Sequence, residues 1–142
     1  MISRRTDVNL PDNRHFYLTP LIWAILSGDK DIVNMLIRAG ADVNRTSNIG
    51  KTTPLYTAVE KNRFDLVRIL LFAGADPNGE IYNGRTPIFT AVRKGFYEIA
   101  QSLIIAGADT NRLDHNGDSL MKYASRENMV KLLTDARENK NE

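Results

Sequence analysis

Apolar and polar positions alternate along this chain in a frame that keeps returning. Ile32, Val33, Leu36 and Ile37, then Leu66, Val67, Leu70 and Leu71, then Ile99, Ala100, Leu103 and Ile104 form apolar pairs one turn apart. That spacing puts a single apolar stripe on one face of a helix, so a helix is predicted at each place. A shorter helix is predicted ahead of each. Its start is marked by Thr19-Pro20, Thr53-Pro54 or Thr86-Pro87, with threonine as N-cap and proline at the first helical position, where a missing N–H costs nothing. The short helices run through Ala24, Ala58 or Ala91, small enough for close packing, and end near Gly28, Asn62 or Gly95, residue types that readily take the left-handed cap. Gly40, Gly74 and Gly107 stop the second helices. Polar segments containing Gly50, Gly84 and Gly117 follow, the composition of a turn or hairpin. From Thr19 to Thr53 is 34 residues and from Thr53 to Thr86 is 33, and the stopping glycines step by the same amounts. A fixed period of this size predicts stacked helix pairs, each unable to bury its apolar face without a neighbour.

The pattern Thr-Pro-Leu, Ala, Gly, Ile-Val, Leu-Leu, Gly-Ala-Asp-x-Asn resembles the ankyrin repeat over roughly residues 7–134. The resemblance implies an all-α fold, an ankyrin-repeat solenoid of helix-turn-helix units with projecting hairpin fingers. It also implies that Asn44, Asn78 and Asn111 brace the finger backbone through their side chains. In that frame residues 19–52, 53–85 and 86–118 are full repeats. Residues 119–134 read as a shortened C-terminal capping repeat, because Leu120 replaces proline and the interval from Ala124 to Met129-Val130 is three residues short. Residues 135–142 read as a polar tail that frays. At the other end Thr6-Asp7-Val8-Asn9 resembles Ala41-Asp42-Val43-Asn44, while Tyr17 stands where a finger glycine belongs. Residues 1–18 are thus either an irregular N-terminal cap or the remnant of a preceding repeat. Ile22, Tyr56, Phe89 and Lys122 occupy the place of the family's histidine, so apolar and aromatic packing is expected instead of its hydrogen-bond relay. One extra residue between Gly50 and Thr53 should lengthen that finger. Trp23, on the first short helix, is expected in the core, with the inner surface as the alternative.

Composition narrows the chemistry. A net charge of +2 over 142 residues does not by itself call for nucleic acid or membrane. Without cysteine there is no disulfide framework and no thiolate nucleophile or ligand. The basic start Met1-Ile2-Ser3-Arg4-Arg5 lacks the apolar stretch of a secretory signal, and no window approaches a membrane span; a cytoplasmic location is expected. His15 and His115 are the only histidines and lie three repeats apart, too far to share a metal or a proton at about 10 Å per stacked layer. The glycines lack the lysine and helix start of a phosphate loop. No catalytic residue, metal site or cofactor is therefore assigned.

The resemblance implies protein binding through the finger tips and the exposed side of the short helices, the concave face. The matching positions hold Ile49, Lys51, Tyr82, Arg85 and Leu113 on fingers and Lys61, Arg93 and Lys94 on the short helices. Tyrosine and arginine are frequent interface hot spots, and Ile49 and Leu113 add apolar contact. Charges on such a face also serve solubility, a role that Ile49, Tyr82 and Leu113 do not fill. The expected function is a non-catalytic protein-interaction module, monomeric alone, whose partner carries an acidic patch. A targeting fragment of a larger enzyme or secreted effector is the other reading. Nucleic-acid binding is disfavoured because basic residues are interleaved with acids and no stripe of stacking aromatics is present.

Overall fold

The computed structural model describes residues 8–9, 18–47, 50–81 and 83–140. Among them are eight helices and no strand element: α1 (Pro20–Ser27), α2 (Lys30–Arg38), α3 (Pro54–Glu60), α4 (Phe64–Phe72), α5 (Pro87–Lys94), α6 (Tyr97–Ile105), α7 (Leu120–Tyr123) and α8 (Glu127–Lys140). They fall into two compact units, Met1–Asp76 with α1 to α4 and Pro77–Glu142 with α5 to α8. In the first unit α1 pairs with α2 and α3 with α4, and the pairs stack α1 on α3 and α2 on α4. The second unit repeats this with α5 on α7 and α6 on α8.

Local chemistry accounts for most of the boundaries. The Thr19 hydroxyl accepts the Ile22 N–H at 3.2 Å and the Thr53 hydroxyl accepts that of Tyr56 at 3.0 Å. At Thr86 the pattern differs, since the Phe89 N–H goes to the Thr86 carbonyl at 3.0 Å and the buried hydroxyl is left without a partner. Asp29 caps α2 through the N–H groups of Asp31 and Ile32. The short helices close at left-handed residues, with φ of 75° at Gly28, 55° at Asn62 and 76° at Gly95. Gly28 has a second reason to lack a side chain, because a Cβ there would lie 2.3 Å from Nη1 of Arg63. That guanidinium donates to the Gly28 carbonyl at 3.1 Å while also pairing with Asp65, so the second repeat ties down the helix end of the first.

Each stack buries the predicted stripe. Leu21, Ile22, Ile25, Val33, Leu55, Val59, Leu66, Val67 and Leu70 form the core of the first unit, and Ile88, Phe89, Val92, Ile99, Leu103, Leu120, Met129 and Leu133 that of the second. Ala58 and Ala91 are completely buried, as helix contacts through small side chains require. Ile22 and Phe89 take the histidine position as core residues, and Phe89 meets the Tyr123 ring edge-on with centroids 6.1 Å apart. Trp23 departs from expectation: it is 38% exposed on α1. Residues 135–140, expected to fray, continue α8. Ala136 is buried there, and alanine, arginine, glutamate and lysine are good helix formers.

The fingers are hairpin loops, closed by single backbone bonds from Ser47 to Thr52, Ile81 to Arg85 and Asp114 to Asp118. Asparagines brace them between repeats. Asn9 Oδ1 accepts the Asp42 N–H at 2.6 Å, Asn44 Oδ1 that of Asp76 at 2.7 Å, and Asn78 Oδ1 that of Asp109 at 2.7 Å. The same side chains donate onward, Asn44 to the Gly74 carbonyl at 3.4 Å and Asn78 to that of Gly107 at 3.0 Å. Asn111 differs: its backbone N–H bonds to Asp109, and its side chain bridges to no repeat among the described residues. Tyr17 lies outside the described residues.

Candidate interaction surface

Six of the eight candidate contact residues can be placed; Ile49 and Tyr82 lie outside the described residues. In the first unit Lys51 stands exposed on the lengthened finger with φ of 50°. A lysine in that left-handed conformation is strained. Lys61 is exposed at the end of α3, beside Glu60.

In the second unit the candidates separate into two kinds. Arg93 and Lys94 are exposed in the last turn of α5, where the helix dipole favours cations. Arg126 joins them, since its side chain lies over Gly95, with Nε 3.5 Å from where a Cβ on that glycine would stand. Arg93, Lys94 and Arg126 therefore all stand at or beside one helix end. Leu113 is 54% exposed on the last finger.

Arg85 is of the other kind. Its Nε is 3.5 Å from the Asp114 carboxylate, its Nη2 donates to the Tyr123 hydroxyl at 3.3 Å, and its guanidinium stacks 5.3 Å from the Tyr123 ring centre. Asp114 is buried and accepts the Tyr123 O–H at 2.7 Å together with the N–H groups of Asn116 and Asp118. The Tyr123 hydrogen bond holds the Asp114 carboxyl below its ordinary range; burial opposes this, and the two N–H groups and Arg85 reinforce it. The same hydrogen bond raises the Tyr123 phenol, with burial adding to it and Arg85 countering. Lys122 is raised by its bond to Asp118, at 2.7 Å. Arg85 thus joins the finger before α5 to the short helix α7, with 26% of its side chain left exposed.

A second polar group links the tips of neighbouring fingers. Glu80 pairs with Arg112 and lies 3.2 Å from His115 Nε2. The imidazole covers Gly84, where any Cβ would fall 2.2 Å from the ring. Asp114, Tyr123 and Arg126 carry the geometry of this unit without standing out in the chain as candidates. Only the position of Arg126, one short-helix register on from Arg93, offered a signal. Among the described residues no cluster of histidine and acidic side chains could hold a metal ion, and no helix is long and apolar enough to cross a membrane.

The model of ankyrin repeats in three copies matches residues 1–81 and 74–142. The chain belongs to the ankyrin repeat family. Among solved structures, this ankyrin repeat chain is similar to the ankyrin repeat domain of Bcl-3, described as a unique member of the IkappaB protein family. The two share 27% identity with a TM-score of 0.79, over 82% of this chain and 51% of that one. The ankyrin repeats here thus span about half the length of that domain. No curated protein matches the chain. Ankyrin repeats build protein-interaction modules, and the helix pairs described above are the unit of that architecture.

Proposed function

We propose that this ankyrin repeat protein is a non-catalytic, cytoplasmic interaction module that binds a protein with an acidic patch through the exposed ends of its short helices and its finger tips. The observation that supports this reading is the placing of Arg93, Lys94 and Arg126 at or beside the end of α5. The rigid helix end adds no backbone ordering to the cost of binding, and three cationic side chains carried on it speed encounter with an acidic surface. Lys51 and Lys61 supply positive charge from the first unit, and Leu113, Ile49 and Tyr82 supply the apolar contacts that cations alone do not. Arg85 serves by holding the finger in place.

The test begins with affinity capture of a partner by the native chain. Titration calorimetry then compares the native chain with Arg93→Glu/Lys94→Glu and with Arg85→Ala. Charge reversal at the helix end is expected to weaken binding about tenfold or more, ~1.4 kcal/mol, and the native affinity should fall as salt rises. Equal affinity of the charge-reversed and native chains, with both fully folded, would remove the basic helix end from the interface.

A further inference from the structure

The second unit contains all three Asn-Gly pairs of the chain, at residues 78–79, 83–84 and 116–117. An asparagine followed by glycine is open to a reaction that needs no enzyme, because a residue without a Cβ lets its own nitrogen approach the preceding side chain. Asparagine is among the thermolabile residues. The glycine nitrogen attacks the side-chain carbonyl carbon, a C–N bond forms, the amide C–N bond breaks, and ammonia leaves with the proton shed by that nitrogen. Water then opens the cyclic imide at either carbonyl and yields aspartate or isoaspartate. No oxidant or reductant enters, and water is the only co-reactant.

The fold treats the three pairs differently. Asn78 is held at both atoms of its amide, with Oδ1 accepting the Asp109 N–H at 2.7 Å and Nδ2 donating to the Gly107 carbonyl at 3.0 Å. The other two pairs sit in turns of one form. The Gly84 N–H donates to the Ile81 carbonyl at 3.1 Å with φ of 72°, and the Gly117 N–H donates to the Asp114 carbonyl at 2.9 Å with φ of 79°. The attacking nitrogen is held alike in both, and the cover differs. Gly84 is buried under the His115 imidazole, which lies 3.2 Å from Glu80, and the Asn83 carbonyl accepts the His115 N–H at 3.3 Å. Asn116 and Gly117 are exposed, with open space where a Cβ on Gly117 would stand. The Asp114 carboxylate holds the Asn116 and Asp118 N–H groups, and the Asn116 side chain makes no hydrogen bond among the described residues. An exposed turn opens by local fluctuation, whereas the covered one opens only when two fingers separate.

We propose that Asn116 is a site of spontaneous modification, converted to aspartate or isoaspartate in the folded chain, and that His115 shields Asn83 from the same reaction. Each event lowers the net charge of +2 by one and places a new carboxylate between Asp114 and Asp118, on the finger that carries Leu113. Isoaspartate also lengthens the main chain inside the loop that the Asp114–Asp118 bond closes. The reaction is independent of what this finger binds.

The test holds the full chain folded at mildly alkaline pH, separates acidic forms by isoelectric focusing and places the change by peptide mass mapping. Conversion of Asn116 is expected to run several-fold faster than that of Asn83 or Asn78. Asn116→Gln should lose the acidic form, because glutamine must close a larger ring. His115→Ala, with its fold checked by circular dichroism, should bring Asn83 close to the rate of Asn116; Glu80→Gln, which frees the imidazole without altering the last finger, should act in the same direction. In urea all three asparagines should convert at similar rates, since clamp and cover are gone. Conversion of Asn116 in the folded chain no faster than that of Asn83, or no acidic form while the urea-unfolded chain produces one, would overturn the proposal. An Asn83 rate that neither variant changes would refute the shielding by His115.

Discussion

Replacing Asn78 by alanine tests whether the asparagine ladder joins neighbouring repeats. The side chain accepts the Asp109 N–H at 2.7 Å and donates to the Gly107 carbonyl at 3.0 Å. A typical intramolecular hydrogen bond contributes about 0.5–1.5 kcal/mol net. Asp109 and Gly107 are exposed, so water can take the place of the lost partner, and the lower half of the combined range applies, about 1.5 kcal/mol. With an unfolding entropy of ~2.1 cal/mol/K per residue, a chain of 142 residues gives ~0.3 kcal/mol/K, and Tm should fall by about 5 °C. Asn44→Ala should cost less, since its second bond is 3.4 Å long. Asn111→Ala should stay within about 0.5 kcal/mol, the usual range of a surface substitution, because its side chain bridges to no repeat among the described residues and the backbone bond to Asp109 survives the change. Urea and thermal unfolding followed by far-ultraviolet circular dichroism give the order directly. If Asn111→Ala were as costly as Asn78→Ala, the asparagine would act within its own loop, and the account of it as a link between repeats would be wrong.

Gly28→Ala should destabilise by about 1–2 kcal/mol in urea unfolding, because a left-handed φ is joined there by the Arg63 guanidinium, which an added Cβ would displace from the Gly28 carbonyl; Gly40→Ala, with φ of 92° and open space at the Cβ position, should cost only the conformational part. Thr53→Val removes a working helix cap and should cost about 1 kcal/mol, whereas Thr86→Val should be close to neutral in the same assay, since the buried Thr86 hydroxyl has no partner to lose. The Asp114 carboxyl lies below its ordinary range when folded. Its contribution is therefore complete above the unfolded carboxylate value of about 3.9 and is lost as pH falls through the lower folded value. Stability measured from neutral to acid pH should show the gap between the native chain and Asp114→Asn closing in acid; a gap independent of pH would mean that ionised Asp114 does not hold α7.

The period, the helix pairs and the left-handed helix ends were legible because each rests on short-range physics. A Thr-Pro start, an apolar stripe with a 3.6-residue period and a glycine or asparagine stop act within one or two turns. The exposure of Lys61, Arg93 and Lys94 followed from the same helical periodicity. What the tertiary structure alone decided is which groups separate repeats bring into contact. Arg85 reads in the chain as a free cation on a finger, but its partner Tyr123 lies 38 residues away. Nothing in the local sequence distinguishes an arginine with such a partner from one without. Trp23 and Ile32 show the converse case: their residue types call for burial, yet they are 38% and 45% exposed, because burial is set by what packs against a helix face and not by the residue type. Local pattern thus determined the elements and their order, because helix starts, stripes and stops are written within a few residues. The choice between core and surface at the repeat boundaries belonged to the stacking, because only a neighbouring repeat can take those side chains out of water.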